Sequence, residues 1–86
     1  MIKKQLIMRQ KTPHTIVTFS CTSDALAAEA KSNAHLLPGR IIPVPSEIAA
    51  GCGLAWCVPE SARNELLRAL EREELSFEGI FSVDLY

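Results

Sequence analysis

Residues 40–58 read RIIPVPSEIAAGCGLAWCV and predict two strands joined by a long connection. Residues 40–44 are rich in β-branched side chains, but Pro43 has no N–H to donate, so we expect this strand at a sheet edge. Residues 54–58 form the second short strand. The eight residues 45–52 between them exceed the two to five that are usual in a hairpin, and long connections of this kind often carry function.

A strand and a helix precede this stretch. The run HTIVTFS at residues 14–20 has the length and the β-branched and aromatic content of a strand. Hydroxyl and carboxylate groups at residues 22–24 then offer caps for a helix that we expect to run to about His35. Pro38-Gly39 ends this segment.

Apolar side chains repeat at helical spacing in two segments, which predicts two amphipathic helices. The buried stripe predicted for the first helix is Leu26, Ala30, Ala34 and Leu37. A second helix is expected to open at Pro59-Glu60, since proline suits a first turn. Its predicted stripe is Ala62, Leu66, Ala69 and Leu70.

The last segment, residues 77–86, alternates apolar and polar side chains, with Phe81, Val83 and Leu85 on one side, as in a half-exposed strand. The order strand, helix, strand, strand, helix, strand predicts an α+β, ferredoxin-like βαββαβ domain: a four-stranded antiparallel sheet with two helices on one face. The second face, or an edge strand, could then form a homodimer. We expect residues 1–12 to be an N-terminal extension and residues 13–86 to be a single domain.

Bulk composition limits the classes of function. The chain has 86 residues, 48% of them hydrophobic and 22% charged, which suits one globular core. Its net charge of −1 does not favour a nucleic-acid partner. No segment approaches the roughly 20 apolar residues of a membrane span, and the basic start lacks a signal-peptide core. We therefore expect a cytoplasmic protein with no membrane partner.

The three cysteines are odd in number and are expected to be free thiols. Cys52 lies between Gly51 and Gly53, whose backbone freedom can bring N–H groups near the sulfur and favour a reactive thiolate. Cys52 is thus the main candidate for chemistry, with the glycines as binding residues. The alternative is a small, buried side chain, because free cysteine is often buried.

The other candidate residues have simpler interpretations. Cys57 lies inside a predicted strand and is expected to pack. Cys21 ends the first strand beside a helix N-terminus, and it could serve as a resolving thiol only if the fold brings it near Cys52. His14 and His35 are placed as a strand-start and a helix-end residue. No metal-ligand spacing or nucleotide fingerprint is present in the sequence, so neither a metal nor a cofactor is expected.

Residues 40–55 resemble the signature of a family of small bacterial domains described as selenium/sulfur carrier-like. Residues 19–29, FSCTSDALAAE, resemble the strand-to-helix junction of that family, and the similarity extends over residues 14–83. The resemblance implies an α+β domain in which Cys52 carries sulfur or selenium as a persulfide or selenosulfide. The chain departs from the family pattern at Ser46, and again at Trp56-Cys57, where basic residues are common.

The leading hypothesis is a carrier or binding protein rather than a turnover enzyme. Cys52 would accept sulfur or selenium from a donor such as a cysteine desulfurase and pass it to an acceptor protein. The flanking glycines would give access to both partners, and Arg40 would attract an anionic partner or group.

Two alternatives remain open at this stage. In the first, the domain is a protein- or ligand-binding or assembly module in which Cys52 only packs. In the second, it is a redox switch in which Cys52 forms a disulfide with Cys21 or with Cys57.

Overall fold

The computed structural model describes residues 11–48 and 52–85. In this part of the chain, four strands and two helices form an α+β arrangement. The elements are β1 (Thr12–Thr18), α1 (Thr22–Asn33), β2 (Arg40–Pro43), β3 (Leu54–Pro59), a 3₁₀ turn (Glu60–Ala62), α2 (Arg63–Arg72) and β4 (Gly79–Leu85).

The four strands form one sheet in the order β2-β3-β1-β4, and every neighbouring pair is antiparallel. This order is compatible with the predicted ferredoxin-like arrangement. β2 lies at an edge, as Pro43 predicted. The pair Thr18↔Ala55 ends the β1–β3 register, and Pro43↔Leu54 ends the β2–β3 register.

β1 begins and ends two residues earlier than predicted, at Thr12 and Thr18. Pro13 is tolerated because it pairs with β4 only, beyond the last β3 pair, His14↔Pro59. The predicted division into an extension and a domain stays a prediction, although Thr12 already belongs to the first strand. Residues 1–10 lie outside the described part.

Both helices contribute to one core cluster, which lies on one face of the sheet; we call this the helix face. Small and branched side chains of the helices meet large side chains of the inner strands there. The buried members are Val17, Phe19, Ala25, Ala28, Leu37, Trp56, Val58, Leu66, Ala69 and Leu70. The predicted stripe of α2 is confirmed at Leu66, Ala69 and Leu70, whereas Ala62 is half-buried.

A second cluster lies on the opposite face of the sheet, which we call the second face. Its buried members are Ile16, Ile42, Ile48, Ala55 and Cys57. Val83 and Leu85 of β4 pack against it, while Ile80 packs against the helix-face cluster. The predicted apolar side of this strand is thus confirmed for Val83 and Leu85, whereas Phe81 is 40% exposed. β3 is buried on both faces because its side chains alternate between two clusters.

The predicted buried stripe of α1 is wrong. Leu26 is 51% exposed, and Ala25 and Ala28 are the buried residues of this helix. The physical reason is size: two alanines allow the helix backbone to approach the sheet closely, and the larger leucine then faces solvent. Leu37 does reach the core, but it lies beyond the end of the helix.

α1 ends at Asn33, two residues earlier than predicted, in a Schellman motif. The N–H of Leu36 donates to the carbonyl oxygen of Lys31 at 2.9 Å, and His35 lies between them with φ of 63°. A non-glycine residue in this left-handed region costs about 1–2 kcal/mol. His35 therefore strains the end of α1.

α2 ends in the same motif. The N–H of Leu75 donates to the carbonyl oxygen of Leu70 at 3.0 Å, and Glu74 has φ of 55°. The preceding residue, Glu73, binds Arg72 Nε at 3.0 Å and Lys31 Nζ at 3.3 Å. Mainly because of the hydrogen bond from Arg72, and with further help from Lys31, the pKa of Glu73 lies below its ordinary value, although partial burial opposes this.

The turn from α1 into β2, residues 37–39, is tightly packed; we call it the packed corner. Trp56 Nε1–H donates to the carbonyl oxygen of Pro38 at 2.7 Å. Gly39 has φ of +104°, and a Cβ there would lie 2.5 Å from Trp56 Nε1 and 2.6 Å from the carbonyl oxygen of Cys57. This position therefore requires glycine both for its backbone angle and for space.

A 3₁₀ turn comes before α2, so the helix starts later than the predicted Pro59-Glu60. Glu60 accepts hydrogen bonds from Thr15 Oγ1 at 2.9 Å and from Ser82 Oγ at 3.1 Å. The carboxylate thereby satisfies the buried hydroxyl of Thr15. Of the helices in the described residues, the longer has 12 residues, and neither could span a bilayer.

Candidate functional site

The connection from β2 to β3, residues 44–53, starts and ends on the sheet. The Val44 N–H donates to the carbonyl oxygen of Gly53 at 3.1 Å, one step beyond the last β2–β3 pair. The Ile48 N–H donates to the carbonyl oxygen of Pro45 at 3.0 Å, which gives a hydrogen-bonded turn. Ile48 anchors this turn in the second-face cluster.

Two glycines were predicted to shape this connection. Gly51 lies outside the described residues. Gly53 has φ of +79°, in the region that favours glycine. Apart from its two chain neighbours, none of the residues 11–48 and 52–85 would lie within 4 Å of a Cβ built there. Gly53 thus turns the chain from Cys52 into β3 without crowding from the described residues.

Cys52 is half-buried and packs against the helix-face cluster. The Leu54 N–H donates to its Sγ at 3.4 Å, and Sγ–H can donate to the Leu54 carbonyl oxygen, also at 3.4 Å. The N–H bond would persist if the sulfur lost its proton, whereas the bond to the carbonyl needs the thiol. The sequence did not single out Leu54, because this contact depends on the backbone turn at Gly53.

Arg40 lies at the far end of β2 from Cys52. It is the cross-strand neighbour of Cys57, three pairs away from the pair Pro43↔Leu54. At about 3.3 Å per residue these pairs alone span about 10 Å. The structure therefore does not bring Arg40 next to Cys52.

Cys57 is buried, with 2% of its surface exposed, and belongs to the second-face cluster. Burial raises the pKa of its thiol, and the charge of Arg40 opposes that rise. The expectation that Cys57 packs is confirmed. Because Cys52 packs against the cluster on the other face, the sheet separates these two thiols.

Cys21 is exposed and is the N-cap residue of α1. Its Sγ shares a hydrogen bond with Ser23 Oγ at 3.2 Å, and no side chain caps the helix. Cys21 follows Thr18 by three residues, and Cys52 precedes Ala55 by three. Since Thr18 and Ala55 are cross-strand partners, both cysteines lie at the same end of the sheet.

A comparison with protein families matches residues 14–82 to a family described as "Putative Se/S carrier protein-like". The chain belongs to this family. The comparisons with curated proteins and with solved structures found no match. The resemblance inferred from the sequence is thus confirmed at the level of the family.

Within this carrier-like family member, the loop around Cys52 is poor in positive charge. Glu47 is the single charged residue in the sequence of residues 44–53. Ser46 is exposed, and its hydroxyl donates to the Glu47 carboxylate at 3.5 Å. Neither Trp56 nor Cys57 could be replaced by a basic residue without burying a charge in the core.

Other features of the carrier-like chain lie away from Cys52. His14 Nδ1 donates to the Thr12 carbonyl oxygen at 2.8 Å. No group of three potential metal ligands occurs among residues 11–48 and 52–85. A cleft of about 360 Å³, which no sequence pattern predicted, lies between the end of α1 and α2. It is lined by Ser32, His35, Leu36, Leu37, Pro38, Glu65, Ala69 and Arg72.

Proposed function

We propose that this protein is a sulfur or selenium carrier in which Cys52 bears a persulfide or selenosulfide. The Cys52 thiolate attacks the terminal sulfur of a donor persulfide, and the donor cysteine leaves as a thiolate. An acceptor thiolate then attacks the terminal sulfur on Cys52, which leaves as a thiolate in turn. Each step exchanges one S–S bond for another, so transfer needs no external oxidant or reductant.

The observation that carries the proposal is the setting of Cys52 in a chain of this family. Cys52 is half-buried, its sulfur accepts a backbone N–H bond from Leu54, and it is followed by Gly53, which the described residues do not crowd. Partial exposure gives a partner access, while the N–H group stabilises negative charge on the sulfur that leaves when cargo moves on.

The partners in this scheme are a donor such as a cysteine desulfurase and an acceptor protein. Both would dock at the end of the sheet that holds Cys52. Arg40 would act there only as a distant charge that attracts an acidic partner, since it lies about 10 Å along β2. The reduced thiols that the mechanism needs suit the cytoplasm.

The proposal is tested by loading the protein with a persulfide donor. Purified, reduced protein is incubated with a cysteine desulfurase and free cysteine, then desalted and measured by intact-mass spectrometry. We expect an added mass of one sulfur atom, located on Cys52 by peptide mapping. Cys52→Ser should abolish the adduct, whereas the matched variants Cys21→Ser and Cys57→Ala should keep it.

An unmodified wild-type protein, or equal loading of Cys52→Ser, would contradict the carrier function. Inorganic polysulfide as a second donor removes the dependence on one desulfurase. Loading by polysulfide but not by the cysteine desulfurase would show that Cys52 accepts sulfur and that a different protein donates it.

The alternative is a binding or assembly module in which Cys52 is structural. One observation favours it, namely the packing of Cys52 against the helix-face cluster. Alkylation of the native protein with iodoacetamide separates the two functions. A carrier should alkylate at Cys52 well before Cys57, and equally slow labelling of both until unfolding would support the structural role.

A further inference from the structure

The three cysteines occupy three different environments. Cys21 is exposed, Cys52 is half-buried and Cys57 is buried. A carrier that holds sulfane sulfur on one cysteine has two further thiols that could react with it. Their placement decides which of them can.

The sheet register brings Cys21 and Cys52 to one end of the molecule. Each lies three residues beyond the cross-strand pair Thr18↔Ala55, the last pair between β1 and β3. Cross-strand Cα atoms in an antiparallel pair lie about 4.5–5.5 Å apart, so β1 ends next to β3, which stays paired with β2 through Leu54.

Both cysteines also belong to the same side of the sheet. Cys52 packs against the helix-face cluster, and Cys21 is the residue from which α1 starts across that face. Cys57 belongs to the second-face cluster, and burial raises its pKa, which disfavours its thiolate. Of the two further thiols, Cys21 is thus the one that lies at the same end and on the same side of the sheet as Cys52.

We propose that Cys21 is a resolving thiol that releases the cargo of Cys52 as hydrosulfide or hydroselenide. This inference rests on the proposed carrier function and adds a second route by which the cargo leaves. Release in this way needs no acceptor thiol, so the product is a free inorganic chalcogenide rather than a second protein persulfide.

The step balances without an external oxidant. The Cys21 thiolate attacks Sγ of Cys52, a Cys21–Cys52 disulfide forms, and the bond between Sγ and the cargo atom breaks. The cargo atom leaves with the electron pair as hydrosulfide or hydroselenide and takes up the proton that Cys21 gave to solvent. The two cysteines are oxidised and the cargo is reduced, and a dithiol reductant restores both thiols for another cycle.

The local contacts of both sulfurs suit this step. Cys21 is exposed, and its Sγ lies 3.2 Å from Ser23 Oγ, whose hydroxyl can donate to the thiolate. Cys52 is half-buried, and attack by a thiol of the same chain does not require a second protein to dock.

The test follows sulfide release from loaded protein under anaerobic conditions. Wild type is loaded with inorganic polysulfide, desalted and incubated, with released sulfide measured by methylene blue and disulfides by non-reducing peptide mapping. We expect sulfide release in step with a Cys21–Cys52 disulfide. Cys21→Ser should load normally, keep its adduct and release sulfide at least about tenfold more slowly.

Cys57→Ala is the matched control and should release sulfide at the wild-type rate. A Cys21→Ser protein that loads and releases sulfide as fast as wild type would overturn the inference but not the carrier function. A disulfide between Cys52 and Cys57 would also overturn it. Failure of wild type to load at all would instead contradict the proposed function. The variant Cys21→Thr checks that the slower sulfide release does not depend on the particular choice of serine.

Discussion

The packed corner that leads into β2 and the connection that leaves it each contain a glycine with positive φ, but the two glycines have opposite surroundings. A Cβ at Gly39 would overlap the indole of Trp56 and the backbone of Cys57, whereas a Cβ at Gly53 would meet nothing within 4 Å among the described residues beyond its neighbours. One end of the edge strand is therefore held by close packing. At the other end, the described residues leave room at Gly53, the residue that follows the candidate Cys52.

Alanine at the two glycines gives the sharpest test of this comparison and the largest expected effect. Gly39→Ala should lower the free energy of unfolding by about 3 kcal/mol or more, because backbone strain and overpacking add. Gly53→Ala should cost only about 1–2 kcal/mol, from backbone strain alone. Urea unfolding followed by circular dichroism measures both, and equal losses would contradict the contrast.

Trp56→Phe tests whether the hydrogen bond to Pro38 holds the packed corner. The variant leaves the Pro38 carbonyl without its donor and a gap beside Gly39, and we expect a loss of about 2 kcal/mol. Circular dichroism is again the measurement, since Trp56 is the single tryptophan. Sulfur loading at Cys52 should be unchanged, and a large loss of loading would show that the two ends of β2 are coupled.

Glycine at His35 should stabilise the protein by about 1 kcal/mol, because it removes the left-handed strain just before the packed corner. Glu74→Gly is the matched variant at the end of α2, and a similar gain is expected. Thermal unfolding compares the two. A loss of stability in His35→Gly alone would mean that the imidazole makes a favourable contact in the neighbouring cleft.

The smallest effect concerns pH. Since the folded-state pKa of Glu73 is lowered, its carboxylate contributes stability above the unfolded-state pKa and loses it as pH falls through the folded value. The stability difference between wild type and Glu73→Gln should therefore be largest near neutral pH. It should shrink below the ordinary glutamate pKa of about 4.3 and disappear in acid.

Urea midpoints of both proteins across this pH range provide the measurement. A difference that stays constant with pH would show that the ion pairs with Arg72 and Lys31 do not contribute. Added salt at neutral pH should reduce the difference, because the partners are exposed.

Features set by local chemistry could be predicted from the sequence. Pro43 predicted an edge strand because a missing N–H excludes it from the sheet interior, and the strong apolar stripe of α2 predicted its buried residues. The prediction of the buried face of α1 was wrong because alanines dominate this helix and differ little from one another. Packing against the sheet therefore decides which of them are buried. Its one large apolar residue, Leu26, was therefore wrongly predicted to be buried.

The candidate site was predicted in part. The sequence identified Cys52 as the candidate thiol and Gly53 as a glycine that shapes the backbone beside it. Both inferences use only residues that are adjacent in the sequence. It could not predict that Arg40 lies away from Cys52, or that Cys21 lies at the same end of the sheet as Cys52. Both relations depend on strand register. Register is a property of paired strands, and no single segment carries it.

The last hydrogen bond of β2 has a further consequence. Pairs in an antiparallel ladder alternate, so the backbone groups of Val44, Ile42 and Arg40 face β3, while those of Ile41 and Pro43 face away from it. The bond from Val44 to Gly53 is therefore the outermost contact between the edge strand and the loop that contains Cys52. Breaking it would let the strand fray from that end while the indole still holds the other. Among the amides that face β3, exchange should then be fastest at Val44 and slower at Ile42 and Arg40.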